Sequence, residues 1–256
     1  MEAKLLLEDD GSTASARFPA KQRDFADHLE EYLAKRDGVD KLLKITRYAA
    51  KLALASPYFA AGSPDLQRRL RSFESSVGVS RKAFRLGRFV QDINVLKRSS
   101  LGSRKGILVL LAHGGEGVYS FLDQFVWLAK AGLIDGRRTA RIQAIGAWAD
   151  LVGHVSRLVL KAMDLKAILE EMAGTESTVE RLRSEGLRLE DEAREMVRLQ
   201  VKALMRRLSI VQELADTLIL IGDLQRGKGF LSNPVVVASL ALLSAFISTH
   251  KNWTSC

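Results

Sequence analysis

The residue types that could support catalysis or metal binding lack their usual partners in this sequence. His113-Gly114-Gly115 is similar to the oxyanion-forming loop of some esterases, but the sequence has no Gly-x-Ser-x-Gly nucleophile elbow. No Gly-Lys-Ser/Thr follows the glycines, as a nucleotide-binding P-loop requires. The histidines are scattered without ligand spacing, and the single cysteine is Cys256. We therefore expect no enzymatic activity, no cofactor and no metal, and we interpret the glycines as a softened helix break.

Composition narrows the class of protein further. The 256 residues carry 39 basic and 30 acidic side chains, a net charge of +9, and 47% are hydrophobic, which excludes wholesale disorder. A mean hydropathy of -0.01 is poor for a multi-spanning membrane protein but permits one or two membrane segments. The stretch Met1 to Asp10 lacks the basic start and long apolar run of a secretory signal, so we expect the chain to begin in the cytosol.

Most of the excess positive charge lies within residues 66 to 98, which hold nine basic and two acidic side chains. Four apolar residues there fall within about 60° of one another on a helical wheel. After Gly78 the apolar stripe changes sides, which predicts a bent helix or two short ones. The segment is predicted to bind membranes through apolar Leu66, Leu70, Phe73, Val77 and Phe84 and basic Arg68, Arg69, Arg71, Arg81, Lys82, Arg85 and Arg88.

Three interpretations of this basic segment compete. A plain solvated face is the simplest. Nucleic-acid binding fits the charge, but the segment has no nucleic-acid signature and no spaced aromatic platform, so we expect no nucleic-acid partner. At an anionic phospholipid membrane, each basic side chain contributes about 1 kcal/mol, and each buried large apolar side chain adds about 1.5–3 kcal/mol. The membrane interpretation is favoured.

The stretch Phe230 to Thr249 contains 20 residues without a formal charge, which as a helix would reach about 30 Å, the thickness of a bilayer core. Asn233-Pro234 has the pattern of a helix start, and Lys251 and Trp253 resemble an interfacial anchor. A buried core helix is the alternative. The predicted transmembrane residues are Val235, Val236, Val237, Leu240, Leu242, Leu243, Phe246 and Ile247.

No segment alternates as a β-strand would, so the predicted fold is all-α, with amphipathic helices and one or two membrane-embedded helices. The predicted organisation is a flexible tail (1–20), a cytosolic amphipathic-helix region (21–105), a membrane-embedded or interfacial segment (106–134), a helical region with a charged linker (135–229), a transmembrane helix (230–250) and a short tail (251–256).

Five short words occur in order along nearly the whole chain, and together they resemble the plant-type branch of the peroxin eleven family. Each word is weak alone, and the ordered set carries the resemblance. The words are Lys35-Arg36-Asp37-Gly38-Val39-Asp40-Lys41-Leu42, Ser80-Arg81-Lys82-Ala83-Phe84-Arg85-Leu86-Gly87-Arg88, Gly115-Glu116-Gly117-Val118-Tyr119, Phe125-Val126-Trp127-Leu128 and Lys251-Asn252-Trp253.

The resemblance implies a multi-pass protein of the peroxisomal membrane, with both termini cytosolic, that elongates the organelle before fission. It implies insertion of an amphipathic helix into the cytosolic leaflet, a homo-oligomer, and recruitment of dynamin-type fission machinery. It places the membrane-embedded regions near residues 106–126 and 231–249. Two alternatives stay open: a membrane pore for small metabolites, with a polar lumen around His113 and Glu116, and a soluble helical adaptor.

Overall fold

A computed structural model describes residues 25–60, 63–100, 102–185, 190–225 and 229–255, so the predicted tail 1–20 lies outside the described residues. Within these ranges the chain is helical and contains no strand, which confirms the all-α prediction. The helices are α1 (Phe25–Ala34), α2 (Arg36–Ala55), α3 (Pro57–Ala60), α4 (Pro64–Phe84), α5 (Arg88–Arg98), α6 (Arg104–Lys130), α7 (Thr139–Ser184), α8 (Glu190–Leu224) and α9 (Pro234–Trp253).

The predicted start of the last helix is confirmed at its cap. The Asn233 side chain accepts a hydrogen bond of 2.9 Å from the backbone N–H of Val235, and Pro234 occupies the first turn. A short 3-10 helix, Phe230–Ser232, precedes this cap. The α9 helix therefore begins four residues after the start of the uncharged stretch and continues to Trp253.

Of the two alternatives predicted at Gly78, the meeting of two short helices is wrong. Helix α4 runs without interruption to Phe84, and the chain turns at Gly87, whose φ of 73° is left-handed. Gly78 is buried, and a Cβ there would lie 3.0 Å from the guanidinium carbon of Arg47. The glycine at position 78 makes room for a neighbouring side chain, and the one at position 87 supplies the backbone conformation that ends the helix.

The predicted break at Gly114 to Gly117 is also wrong, because α6 is continuous over 27 residues. A Cβ at Gly115 would lie 2.3 Å from the carbonyl oxygen of Ala149 in α7, and one at Gly153 would lie 3.0 Å from that of Ala112 in α6. These glycines let two backbones approach closely, and that packing offsets a helix-propensity cost of about 1 kcal/mol per glycine.

Six helices form a closed ring of neighbours: α2 packs on α4, α4 on α6, α6 on α7, α7 on α8, α8 on α9, and α9 on α2. Helix α5 covers α6, and α1 packs against α2. At one end of the ring Trp253 of α9 contacts α1, with ring centroids 5.6 Å from Phe25 and 4.2 Å from His28. The beginning of the described chain and the end of α9 therefore lie at the same end of the bundle.

The interior of this bundle holds charged side chains beside its apolar ones, and many large apolar side chains are exposed on the outside. Charged side chains such as Asp40, Arg81 and Glu213 are buried, whereas Trp148 of α7 is 61% exposed and Phe246 of α9 is 57% exposed. Soluble helical bundles show the opposite distribution. Helices embedded in lipid place ionisable groups towards one another and apolar groups outwards.

The close contact between α6 and α7 can be tested with a matched pair of glycines. Gly115→Ala should destabilise the fold by about 1–3 kcal/mol, because the new methyl group collides with the backbone of α7. Gly114→Ala should be neutral or stabilising by up to about 1 kcal/mol, because no other group lies within 4 Å of the new Cβ. Thermal unfolding followed by circular dichroism in detergent measures both. Equal effects at the two positions would contradict the observed packing.

Candidate membrane-interaction surface

The first half of α4 presents part of the predicted membrane-binding stripe to the outside. Leu66 and Phe73 are each 49% exposed, and Leu70 between them is half-buried. Arg68, Arg69 and Arg71 are exposed beside this apolar edge, and the first two pair with the exposed carboxylate of Asp65. We call these six residues from Leu66 to Phe73 the α4 surface.

The second half of α4 packs against the protein itself. Val77 is 7% and Arg81 is 5% exposed, so neither is accessible to a membrane in this structure. The Arg81 guanidinium donates from Nε to Asp40 Oδ1 over 2.9 Å and from Nη2 to Asp40 Oδ2 over 3.3 Å. This fork joins α4 to the first turns of α2.

The remaining basic residues of the stripe also contact carboxylates of other helices. Lys82 bonds to Asp123 of α6, and Arg85 Nη2 lies 3.5 Å from Asp40 Oδ2. Arg88 Nη2 lies 2.9 Å from Glu116 Oε1, and Phe84 between the bases is 40% exposed. The stretch from Arg81 to Arg88 thus holds α4 and α5 against α2 and α6.

The electrostatics of Asp40 follow from this arrangement. Burial by itself raises the pKa of the Asp40 carboxyl, but the guanidinium groups of Arg85 and Arg81 outweigh it and hold the pKa well below its ordinary value. Asp40 is therefore ionised at neutral pH, and its charge is paired inside the fold.

A second buried cluster of ionisable side chains joins α7 to α8, and the sequence analysis did not predict it. Glu213 of α8 lies 2.5 Å from Nδ1 of His154 and 2.8 Å from Nε of Arg157, and it also bonds to Lys161. Arg157 continues to α6, where its Nη1 lies 2.9 Å from Glu116 Oε2. The cations recur at three- and four-residue steps along α7, a spacing that indicates one helix face.

Among the described residues no group of three His, Cys, Asp or Glu could hold a metal ion.

Helix α9 has two different faces. Ala238, Ala241 and Ala245 are fully buried, and Ser244 joins Lys44 of α2 and Asp216 of α8 in a network of hydrogen bonds of 2.7–2.8 Å. Of the predicted transmembrane residues, Ile247 is buried with this inner face. The outer face exposes Val235, Leu243 and Phe246, while Val236, Val237, Leu240 and Leu242 are half-buried.

By length and composition, Pro234–Trp253 is the one described helix that could cross a membrane, and a third of its apolar stretch is buried inside the protein. A buried helix of a soluble protein would pass the same test. Helix α6, the other predicted membrane segment, does not pass it.

These features together define a helical protein with buried ion pairs, exposed large apolar side chains and one candidate membrane span among the described residues. The chain matches the family described as Peroxisomal biogenesis factor 11 (PEX11) over residues 26–253, and it belongs to that family. The resemblance found in the sequence words is thereby confirmed.

Plant proteins are similar to almost the whole chain. Peroxisomal membrane protein 11A of Arabidopsis thaliana is 52% identical over 92% of this chain and 95% of its own. Peroxisomal membrane protein 11-3 of Oryza sativa subsp. japonica is 51% identical over 91% of each chain, and Peroxisomal membrane protein 11B of Arabidopsis thaliana is 31% identical over 91% of this chain and 99% of its own. No solved structure matches the chain.

The buried pair between Arg81 and Asp40 predicts a pH-dependent loss of stability. Asp40→Asn should cost about 3–5 kcal/mol at neutral pH, because it leaves a buried guanidinium without its carboxylate. The folded-state pKa of Asp40 is lowered, so its contribution is present above the ordinary Asp pKa of about 3.9 and is lost as the pH falls below it. The gap between wild type and variant should therefore shrink in acid.

Chemical unfolding at neutral and at acidic pH measures that gap. The control is Asp65→Asn, which removes an exposed carboxylate and should cost less than about 1 kcal/mol. A gap for Asp40→Asn that is the same at both pH values would contradict the assignment of the pair.

Proposed function

We propose that this protein, a PEX11-family protein of the peroxisomal membrane, elongates that membrane by inserting the α4 surface into its cytosolic leaflet. The single observation that carries the mechanism is the open apolar edge of Leu66 and Phe73 beside exposed arginines. The relatives are named as peroxisomal membrane proteins and not as enzymes, which supports a non-catalytic role.

The physical basis of the mechanism is unequal expansion of the two leaflets. An apolar edge in the headgroup region of one leaflet pushes lipids apart there and leaves the other leaflet unchanged, which favours positive curvature. Burial of Leu66 and Phe73 contributes about 1.5–3 kcal/mol each, and each arginine near anionic lipid adds about 1 kcal/mol. The second half of α4, where Arg81 pairs with Asp40 and Lys82 with Asp123, keeps this edge attached to the rest of the molecule.

The proposed topology is multi-pass: α6 and α9 both cross the bilayer, so that both termini lie in the cytosol. Outward-facing residues of α6, such as Ile107, Leu111 and Phe121, are apolar and exposed, while Glu116 and Asp123 pair inwards. Arg104 and Lys105 begin α6, as the positive-inside rule expects for a cytosolic end. The contact between Phe25 and Trp253 supports placing the start of α1 and the end of α9 on one side.

We include a homo-oligomer in the proposal. One copy induces only a small membrane curvature, and many associated copies together would shape the membrane into a tube. Exposed apolar residues on α7 and α8, among them Trp148, Val197 and Val201, offer a surface for a second copy. Recruitment of dynamin-type fission machinery belongs to the proposal through the family resemblance.

The proposed wedge predicts a loss of tubulation when its apolar edge becomes charged. Leu66→Glu/Phe73→Glu in the full chain should abolish tubulation of anionic vesicles, because two carboxylates replace the inserted side chains and repel the lipid surface. Electron microscopy of vesicles after reconstitution measures the length of tubules.

The matched control is Ser72→Glu/Ser75→Glu, which adds the same charge on exposed positions of α4 away from the apolar stripe. The control variant should still form tubules, with at most a modest reduction from its added negative charge. Unchanged tubulation by the Leu66→Glu/Phe73→Glu variant would remove the α4 surface from the mechanism.

A further inference from the structure

Three of the five family words meet at one cavity, although they are far apart in the sequence. The cavity has a volume of about 420 Å³ and lies where α1 meets α2, where α4 meets α5, and at the end of α9. The first word contributes Lys35, Arg36 and Asp37, the second contributes Arg85 and Arg88, and the last contributes Asn252. The wedge mechanism does not use this convergence.

The lining of the cavity carries an excess of positive charge. Lys35, Arg36, Arg85 and Arg88 face two carboxylates, those of Asp37 and Asp40. Asp40 already accepts both arms of the buried Arg81 guanidinium, at 2.9 Å and 3.3 Å. Arg85 Nη2 lies 3.5 Å from the same carboxylate, Arg88 bonds to Glu116, and Lys35 Nζ lies 3.6 Å from Glu31 Oε1. Arg36 is therefore the basic residue of the lining that has no carboxylate partner among the described residues.

Two of the arginines have hydrogen-bonding arrangements that suit an anion. Arg36 is exposed. Its guanidinium donates hydrogen bonds to the backbone carbonyl of Phe84, at 2.5 Å and 3.2 Å, and to that of Leu86, at 2.7 Å. These bonds fix the guanidinium at the cavity without neutralising its charge. The buried Nε–H of Arg85 has no acceptor among the described residues. Arg88 is shared with Glu116 and remains one-third exposed on the wall.

We propose that this cavity binds a phosphate ester, supplied by the headgroup of an anionic phospholipid. Guanidinium groups are planar forks that match phosphate oxygens in pairs, and an anion here would satisfy the free donor of Arg85 and the uncompensated charge of Arg36. The volume lies within the range of ordinary small-molecule sites.

The position of the cavity favours a lipid as the source of the phosphate. Asn252 and Ser255 belong to the end of α9, and Trp253 between them packs on the rings of Phe25 and Tyr32. An aromatic cluster at the end of an apolar helix is typical of the level where lipid headgroups lie. The assignment to lipid therefore rests on the proposed function, in which α9 crosses the bilayer, whereas the anion site rests on the cavity alone.

The test uses the full chain in flat nanodiscs, where tubulation plays no part. Binding of soluble inositol bisphosphate is measured in phosphatidylcholine nanodiscs. The melting temperature is compared between nanodiscs with and without phosphatidylinositol monophosphate. Lys35→Gln/Arg36→Gln should weaken headgroup binding at least about tenfold, since hydrogen bonds to charged groups are the strong ones. Arg85→Lys keeps the charge, loses the fork, and should also bind more weakly.

Asp37→Asn should strengthen binding, because it removes a negative charge from the lining of the cavity. A gain of this kind cannot come from misfolding. Matched controls are Arg137→Gln/Arg138→Gln and Asp135→Asn, at exposed positions just before α7, which change the net charge by the same amounts and should leave the affinity unchanged. The wedge variant Leu66→Glu/Phe73→Glu should bind the headgroup like wild type, so that the two proposals fail separately.

Equal effects of the cavity variants and the control variants at positions 135, 137 and 138 would overturn the site, because they would show diffuse attraction to the whole basic surface. Absence of binding to both the soluble headgroup and the lipid would overturn it as well. Binding of the soluble headgroup with no stabilisation by the lipid would overturn the assignment to phospholipid.

Discussion

Pairing of ionisable side chains between helices is the constraint on which the rest of this structure depends. Glu213 of α8 contacts three cations of α7, Arg81 of α4 contacts Asp40 of α2, and Lys44 of α2 contacts Asp216 of α8. A buried charge without its partner costs several kcal/mol, so each pair fixes the position of the helices that carry it. These pairs share the interior with apolar residues such as Leu199, while Trp148 and Phe246 face outwards.

This constraint divides α4 into two parts with different roles. From Val77 onwards the helix is part of the packed bundle, and its basic residues are bound to carboxylates of α2 and α6. Before that point Leu66, Phe73 and their neighbouring arginines face outwards. An amphipathic helix anchored at one end presents its free apolar edge in a fixed orientation, and its ordering cost on meeting a membrane is correspondingly smaller.

Local patterns in the sequence predicted the helical fold, the cap of α9 at Asn233 and the apolar edge of α4, because each depends on residues close together in the chain. The prediction of a helix break at Gly115, and the alternative of two short helices meeting at Gly78, were wrong. A glycine that admits a neighbouring group has the same local signature as one that ends a helix. The ion pairs could not be predicted, because Asp40 and Arg81 are 41 residues apart and only the packing of α2 on α4 joins them.

The central claim is that the apolar outer faces of α6 and α9 lie in lipid while the charged groups pair inside. Spin labels test this claim directly. They are attached at Phe121→Cys and Phe246→Cys in a chain that carries Cys256→Ser and is reconstituted in bilayers. Their collisions with oxygen and with a water-soluble nickel complex are then measured. A label at Glu170→Cys, an exposed position of α7, provides the aqueous reference. The account predicts that the first two labels collide with oxygen and are protected from nickel. Nickel access at both positions equal to that at the reference would contradict it.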